Sequence, residues 1–222
     1  MHQKAKTGSP SIQSGINHAK QVRSQATYRK LIKAGKEIFT DRLMNEASVQ
    51  QIANKAGVSV GGFYARFANK ESFFQEVQES AAREMLLDME RLLTTSQMID
   101  MDAASYIRAL AKLWVRMFRR NRFLYIASVR NVNLQEDRWG PIRRLGIAGS
   151  AILKETTDPH LAKIGIKRSS KDYRILSQVV SALLFNAVLN DPGPIKLKSK
   201  EMVNLVAQLI ANQLGVTLST DG

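Results

Sequence analysis

Residues 49–70, VQQIANKAGVSVGGFYARFANK, decide how the rest of the chain is read. Ser48 is a good helix N-cap, and Val49, Ile52, Ala53 and Ala56 recur at helical spacing, giving a short helix one inner face. Gly57 is the residue type that ends such a helix in the left-handed conformation. Val58 and Ser59 then lead into a second short helix, expected from Val60 to about Phe67. Asn69 caps a third, expected from Lys70 to about Leu93, with Phe73, Phe74, Val77, Ala81, Met85, Leu86 and Met89 as its apolar set. A helix opening at a Ser cap turns free N–H groups and a positive dipole end outward. A helix of that size fits the major groove of DNA, while its predecessor crosses the backbone. The stretch therefore predicts a helix-turn-helix.

Upstream, a helical period begins near Ser24, with Leu31, Ala34, Ile38 and Phe39 on one face and Lys30, Lys33 and Lys36 elsewhere. Packed on the next two helices it completes a three-helix domain over residues 23–72. Gly35 inside this helix costs up to about 1 kcal/mol relative to Ala, which close helix packing would explain. Residues 1–22 mix Lys, Gln, Ser, Gly and Asn with little apolar pattern and read as a flexible basic arm. Lys4, Lys6, Lys20 and Arg23 give that arm two readings, a disordered leader or a segment that touches DNA.

Downstream, residues 73–222 read as all helix. Tyr106, Ile107, Leu110, Leu113, Trp114, Met117 and Phe118 mark a helix over 103–119, and a short piece follows at 122–131. Further helices are expected over 139–154, 172–189 and 199–214. Glu155–Lys171, with its Pro, Gly, Ser and charge, is expected as a loop that holds His160. The fold class is all-α.

The 222 residues carry a net charge of +14 and no cysteine. Residues 1–70 hold twelve Lys and Arg against three acids, so +9 of that charge falls in under a third of the chain. Positive charge concentrated beside a helix-turn-helix suits a polyanion. The absence of cysteine excludes disulfides, thiolate metal sites and Cys nucleophiles. No secretory signal and no apolar run of eighteen residues appears, so a cytoplasmic protein with no membrane partner is expected. No nucleophile elbow, phosphate loop, dinucleotide glycine pattern or metal-ligand spacing is present, so the expected catalytic residues, metal and cofactors are none.

The ordered set Ile52-Ala53, Ala56-Gly57-Val58-Ser59, Gly61, Phe63-Tyr64, Phe67 and Asn69-Lys70-Glu71-Ser72-Phe73 resembles the tetracycline-repressor (TetR) family of bacterial transcription regulators. The resemblance covers roughly residues 24–75. It implies an N-terminal DNA-binding domain, a C-terminal helical domain for ligand and dimerisation, and no enzyme activity. It places Tyr64 on the DNA backbone and Lys70 on a phosphate, roles that a phenol and an ammonium near a helix N-terminus suit. The candidate DNA-contacting set is Ser48, Val49, Ser59, Val60, Gly61, Gly62, Tyr64, Arg66 and Lys70, with Phe63 and Phe67 assigned to the core. The chain departs from the family at Gly62, where a small polar residue is common, and at Val60, where the residue is often polar. Base readout then leans on Val60 against a thymine methyl and on close backbone approach at the glycines.

In the C-terminal domain, Trp114, Phe118, Phe123, Tyr125 and Trp139 either line an apolar pocket or pack the core. The arginines around them either meet an anionic ligand or form a solvated face. The apolar helices at 172–189 and 199–214 would bury their excess against a symmetry mate in a homodimer. The function implied is a repressor released from a double-stranded DNA operator by a small molecule. One alternative is a DNA-binding regulator controlled by a protein partner without a small-molecule effector. The other is an enzyme or carrier on a helical scaffold.

Overall fold

The computed structural model describes residues 12–41, 46–130, 140–191 and 193–218. Ten helices and no strand are found among the described residues: α1 (Ile12–Asp41), α2 (Val49–Ala56), α3 (Val60–Tyr64), α4 (Lys70–Leu93), α5 (Ser96–Ile99), α6 (Ala103–Arg120), α7 (Arg122–Arg130), α8 (Gly140–Ala162), α9 (Ser170–Leu189) and α10 (Lys200–Leu214). Helix α1 packs on α2 and α4 and also touches α7, while α4, α6, α7, α8, α9 and α10 pack on one another, and the buried apolar residues of both parts join in one core.

Aromatic rings knit the first unit. Phe73 is fully buried among Phe63, Phe67 and Phe39, with ring centroids at 5.1, 4.9 and 6.1 Å. Edge-on geometry at such distances adds to the stabilisation from burial alone. Gly35 lies where α1 crosses α4. A Cβ there would stand 2.7 Å from both Phe73 Cζ and Val77 Cγ2, so only glycine permits the approach.

Helix α4 joins the two units. Its first half buries Phe73, Phe74 and Val77 with the N-terminal helices, and its second half turns Met85 and Met89 toward α6 and α8. A 24-residue helix is about 36 Å long, so one rigid element reaches from one unit into the other. A polar link reinforces the junction: Tyr28 Oη donates to Glu76 Oε1 (2.5 Å), and Arg83 Nη2 donates to the same oxygen (2.7 Å). Burial, then the Glu76 carboxylate, pushes the Tyr28 phenol up to about 12, so it stays a neutral donor.

Two expectations are corrected. Helix α1 begins at Ile12, so residues 12–22 are helical rather than an unstructured arm; residues 1–11 lie outside the described residues. Once a helix is nucleated, each added residue gains a hydrogen bond, and nothing in 12–22 stops that growth. Residues 155–162 belong to α8 rather than to a loop, and Pro159 sits inside the helix. Packing accounts for this. Thr157, His160 and Leu161 are all buried, which outweighs the one backbone hydrogen bond that proline removes. His160 stacks on Tyr106 at 4.0 Å with its Nδ1 3.0 Å from the Met101 carbonyl oxygen. Burial is the main cause holding its pKa below the ordinary histidine value.

Candidate nucleic-acid interface and helical cavity

Local chemistry builds the α2–α3 unit as the sequence predicts. Ser48 has extended backbone and its Oγ accepts from Gln51 N (3.1 Å), while Gln51 Oε1 accepts from Ser48 N (2.9 Å), a closed capping box. Gly57 takes φ 64°, and the N–H groups of Gly57 and Val58 reach the carbonyls of Asn54 (3.1 Å) and Ala53 (3.0 Å). That is a Schellman close, which needs a residue without Cβ strain. Ser59 caps α3, its Oγ accepting from Gly62 N at 3.0 Å.

Helix α3 is shorter than expected, ending at Tyr64 instead of Phe67. Gly61 and Gly62 give a short helix little intrinsic stability. Phe67 is drawn into the core against Tyr28 and Phe73, and Asn69 must be extended, at φ −155°, to cap α4. The chain cannot remain helical through both demands.

The candidate contact residues separate into distinct surroundings. Ser48, Ser59, Gly61 and Tyr64 are exposed, and Val49, Val60 and Gly62 are half-buried. Tyr64 is 53% exposed, held edge-on to Phe63 at 5.3 Å. A Cβ at Gly61 would meet nothing closer than Ser59 Oγ at 3.9 Å, so the outer surface of α3 is open to a close approach. Lys70 Nζ donates to the Ala47 carbonyl at 3.1 Å, which sets its ammonium beside the start of α2. An ammonium has three donors, so two remain for an outside acceptor. Arg66 is turned toward α1: it donates to the Ser24 carbonyl and Oγ at 3.3 Å and to the Gly62 carbonyl at 2.9 Å. Its guanidinium braces α1 against α3. Arg29, Lys30 and Lys33 on α1 are exposed and have no ion-pair partner among the described residues.

In the second unit, α4, α6, α7, α8 and α9 line a partly open cavity of ≈ 640 Å³. That is within the usual range for small-molecule sites. Of the five aromatic residues read from sequence, Trp114, Phe118 and Tyr125 line it. Phe123 is buried in the core and is not in the wall, and Trp139 lies outside the described residues. Tyr125 stacks on Phe118 (4.3 Å, 2° between planes) and meets Phe185 edge-on at 5.9 Å. Its burial drives the phenol pKa well above the ordinary value.

Sequence reasoning missed the contribution of α8 and α9 to the wall: Leu145, Gly146 and Gly149 from α8, Ser177 and Ser181 from α9. The signal was present. Gly146, Ala148, Gly149 and Ser150 are small side chains in one helix turn, and Ser177 and Ser181 sit four apart in an otherwise apolar helix. Several arginines near this region have partners: Arg119 donates to the carbonyls of Leu197 (2.7 Å) and Ser199 (3.0 Å), Arg122 to that of Val188, and at the surface Arg120 pairs with Asp88 and Arg144 with Glu79. Among the described residues no cluster of three His, Asp or Glu side chains is placed to hold a metal, and no helix is long and apolar enough to cross a membrane.

Residues 31–77 match the model of the bacterial regulatory proteins, tetR family. The chain is 38% identical over 53 residues to the HTH-type transcriptional regulator YwcC of Bacillus subtilis, a match covering 24% of each chain. It thus spans about a quarter of that relative's length. The whole backbone resembles a Mesorhizobium loti protein assigned to the TetR family of transcriptional regulators, with TM-score 0.65 and 18% identity over 87% of this chain and 97% of the other. It also resembles the transcriptional regulator FadR of Bacillus subtilis, solved with stearoyl-CoA, with TM-score 0.60 and 17% identity over 86% and 99% of the two chains.

Proposed function

We propose that this chain, a TetR-family transcriptional regulator, acts as a homodimer that binds a palindromic operator and leaves it when a small molecule fills the cavity between α4 and α9. Helix α4 carries the proposal. One rigid helix starts at Lys70, beside α2, and ends with Met85 and Met89 in the cavity wall. An occupant that prefers a different setting of α4 changes the spacing of the two reading heads. The shift is bounded by the occupant's differential affinity for the two settings. Stearoyl-CoA in the neighbouring FadR structure supports the reading of this fold as a ligand binder.

Homodimerisation rests on α9. The apolar face of α10 is largely covered within the chain by α6 and α9, but Ile175 (37% exposed) and Val179 (45%) remain outside on α9, with half-buried Leu183 one turn further. A stripe at four-residue spacing suits a helical interface between copies. In this arrangement Tyr64 and Lys70 contact phosphates, Ser48, Val49, Ser59, Val60, Gly61 and Gly62 form the groove-facing surface, and Arg66 is a brace.

The test is a hydroxyl-radical footprint with mass measurement of the complex on DNA flanking the chain's own gene. Two protomers and two protected patches about 34–36 Å apart are expected, and both are lost in Ile175→Glu/Val179→Glu. A single patch with one protomer, or a double variant that still binds as a dimer, overturns the proposal.

A further inference from the structure

Of the six buried hydroxyls among the described residues, four have a partner. Tyr106 donates to Thr156 Oγ1 (3.0 Å), Thr157 to Tyr106 Oη (3.4 Å), Tyr173 to Asp158 (2.6 Å) and Ser150 to the Ile147 carbonyl (2.7 Å). Two have no hydrogen-bond partner among the described residues: Tyr125, 2% exposed, and Ser177, 8% exposed. They come from different helices, α7 and α9, and both line the one cavity. Buried polar groups are otherwise paired as a rule, so two unpaired ones in a single apolar cavity mark a place for an outside hydrogen-bonding atom.

Charge in the wall is one-signed. Arg143 and Arg174 line the cavity from exposed positions on α8 and α9, and among the described residues no Asp, Glu or Lys lines it. A guanidinium fork suits a carboxylate or other oxyanion.

Resting on the reading of the cavity as the effector site, we infer that the effector is an oxygenated amphipathic anion. Its apolar body lies against Met85, Met89, Leu110 and Trp114. An internal hydroxyl or carbonyl oxygen is hydrogen-bonded by Tyr125 and Ser177, and the anionic head meets Arg143 and Arg174 at the rim. A saturated hydrocarbon tail alone leaves both inner hydroxyls unpaired, so the site selects for oxygen within the body. Tyr125 and Ser177 are the specificity-determining residues.

Three matched probes, titrated calorimetrically into the full chain, test this: 6-hydroxy-2-naphthoate, 2-naphthoate and 2-naphthol. The hydroxy acid is expected to bind about tenfold or more tightly than either singly substituted probe, a factor set by one added hydrogen bond. Tyr125→Phe/Ser177→Ala should erase the advantage over 2-naphthoate while leaving 2-naphthoate binding intact. Arg143→Gln/Arg174→Gln should erase the advantage over 2-naphthol. A second readout needs no ligand: Tyr125→Phe removes an unpaired buried hydroxyl and should raise Tm by about 2–4 °C. A fall in Tm means the hydroxyl is already bonded in the free protein and overturns the inference. Equal binding of all three probes overturns it while sparing the effector-site reading. Failure of all three, 2-naphthol included, overturns both, because 2-naphthol needs only the apolar walls.

Discussion

Tyr64→Ala combined with Lys70→Ala weakens operator binding by roughly 100-fold or more and leaves the dimer folded. In the proposed dimer each protomer loses one phenol and one ammonium donor to phosphate, four contacts in all. Hydrogen bonds to a charged group contribute about 1.5–3 kcal/mol each, and loss of even two of the four gives that factor. The two substitutions also separate in their salt behaviour. Only Lys70 carries charge, and each released counterion contributes about −0.9 to the slope of log K against log salt. Lys70→Ala therefore makes the dimer's slope shallower by about 2, while Tyr64→Ala lowers affinity with the slope unchanged. Fold is preserved because Tyr64 is half exposed and Lys70 gives up one bond to the Ala47 carbonyl. Fluorescence anisotropy at several salt concentrations, with Tm measured alongside, checks both. Unchanged affinity removes the assigned roles, and a collapse in Tm reassigns the residues to structure.

Gly35→Val lowers stability by about 3 kcal/mol, a Tm drop near 6–12 °C for a chain of this size. The first added carbon already lies 2.7 Å from Phe73 Cζ and Val77 Cγ2. Phe73 is fully buried and hemmed in by Phe39, Phe63 and Phe67, and Val77 is fully buried and stiff at χ1, so neither neighbour has room to yield. Relief requires α1 to move off α4, which also releases the Arg66 brace to Ser24. DNA affinity is expected to fall with stability even though residue 35 is buried away from any DNA-facing surface. Thermal unfolding of Gly35→Ala and Gly35→Val gives the check. Alanine improves helix propensity by up to about 1 kcal/mol, which partly offsets its clash. A Tm for Gly35→Val equal to that of the parent would show that the helices are not in close contact there.

What was legible in the sequence is what local chemistry controls. The Ser48 and Ser59 caps, the left-handed Gly57, the Asn69 cap and the core roles of Phe63 and Phe67 all follow from neighbours within a few residues, and all are found in the fold. The reason for Gly35 was not legible, since it depends on two side chains about forty residues away. The same limit hid the turn of Arg66 toward Ser24. Pro159 misled because a helix-breaking residue was read without the tertiary burial of Thr157, His160 and Leu161 that keeps α8 intact.

The cavity was half legible for a related reason. Trp114, Phe118 and Tyr125 announce themselves by size, whereas Gly146 and Gly149 contribute space, which has no residue-type signature until an opposing wall is known. The late apolar helices show the converse. Their composition implied an unburied excess, but α6 covers most of α10, and the unburied part narrows to Ile175 and Val179.

The most direct measurement is the binding of the purified full chain to the DNA flanking its own gene, titrated across salt concentrations. A sequence-specific regulator gives saturable nanomolar binding to one short palindrome, about 10³-fold or more tighter than to unrelated DNA of the same length. Binding that is weak, steeply salt-dependent and equal for all sequences would instead reflect only the +14 charge, and would contradict the regulator account.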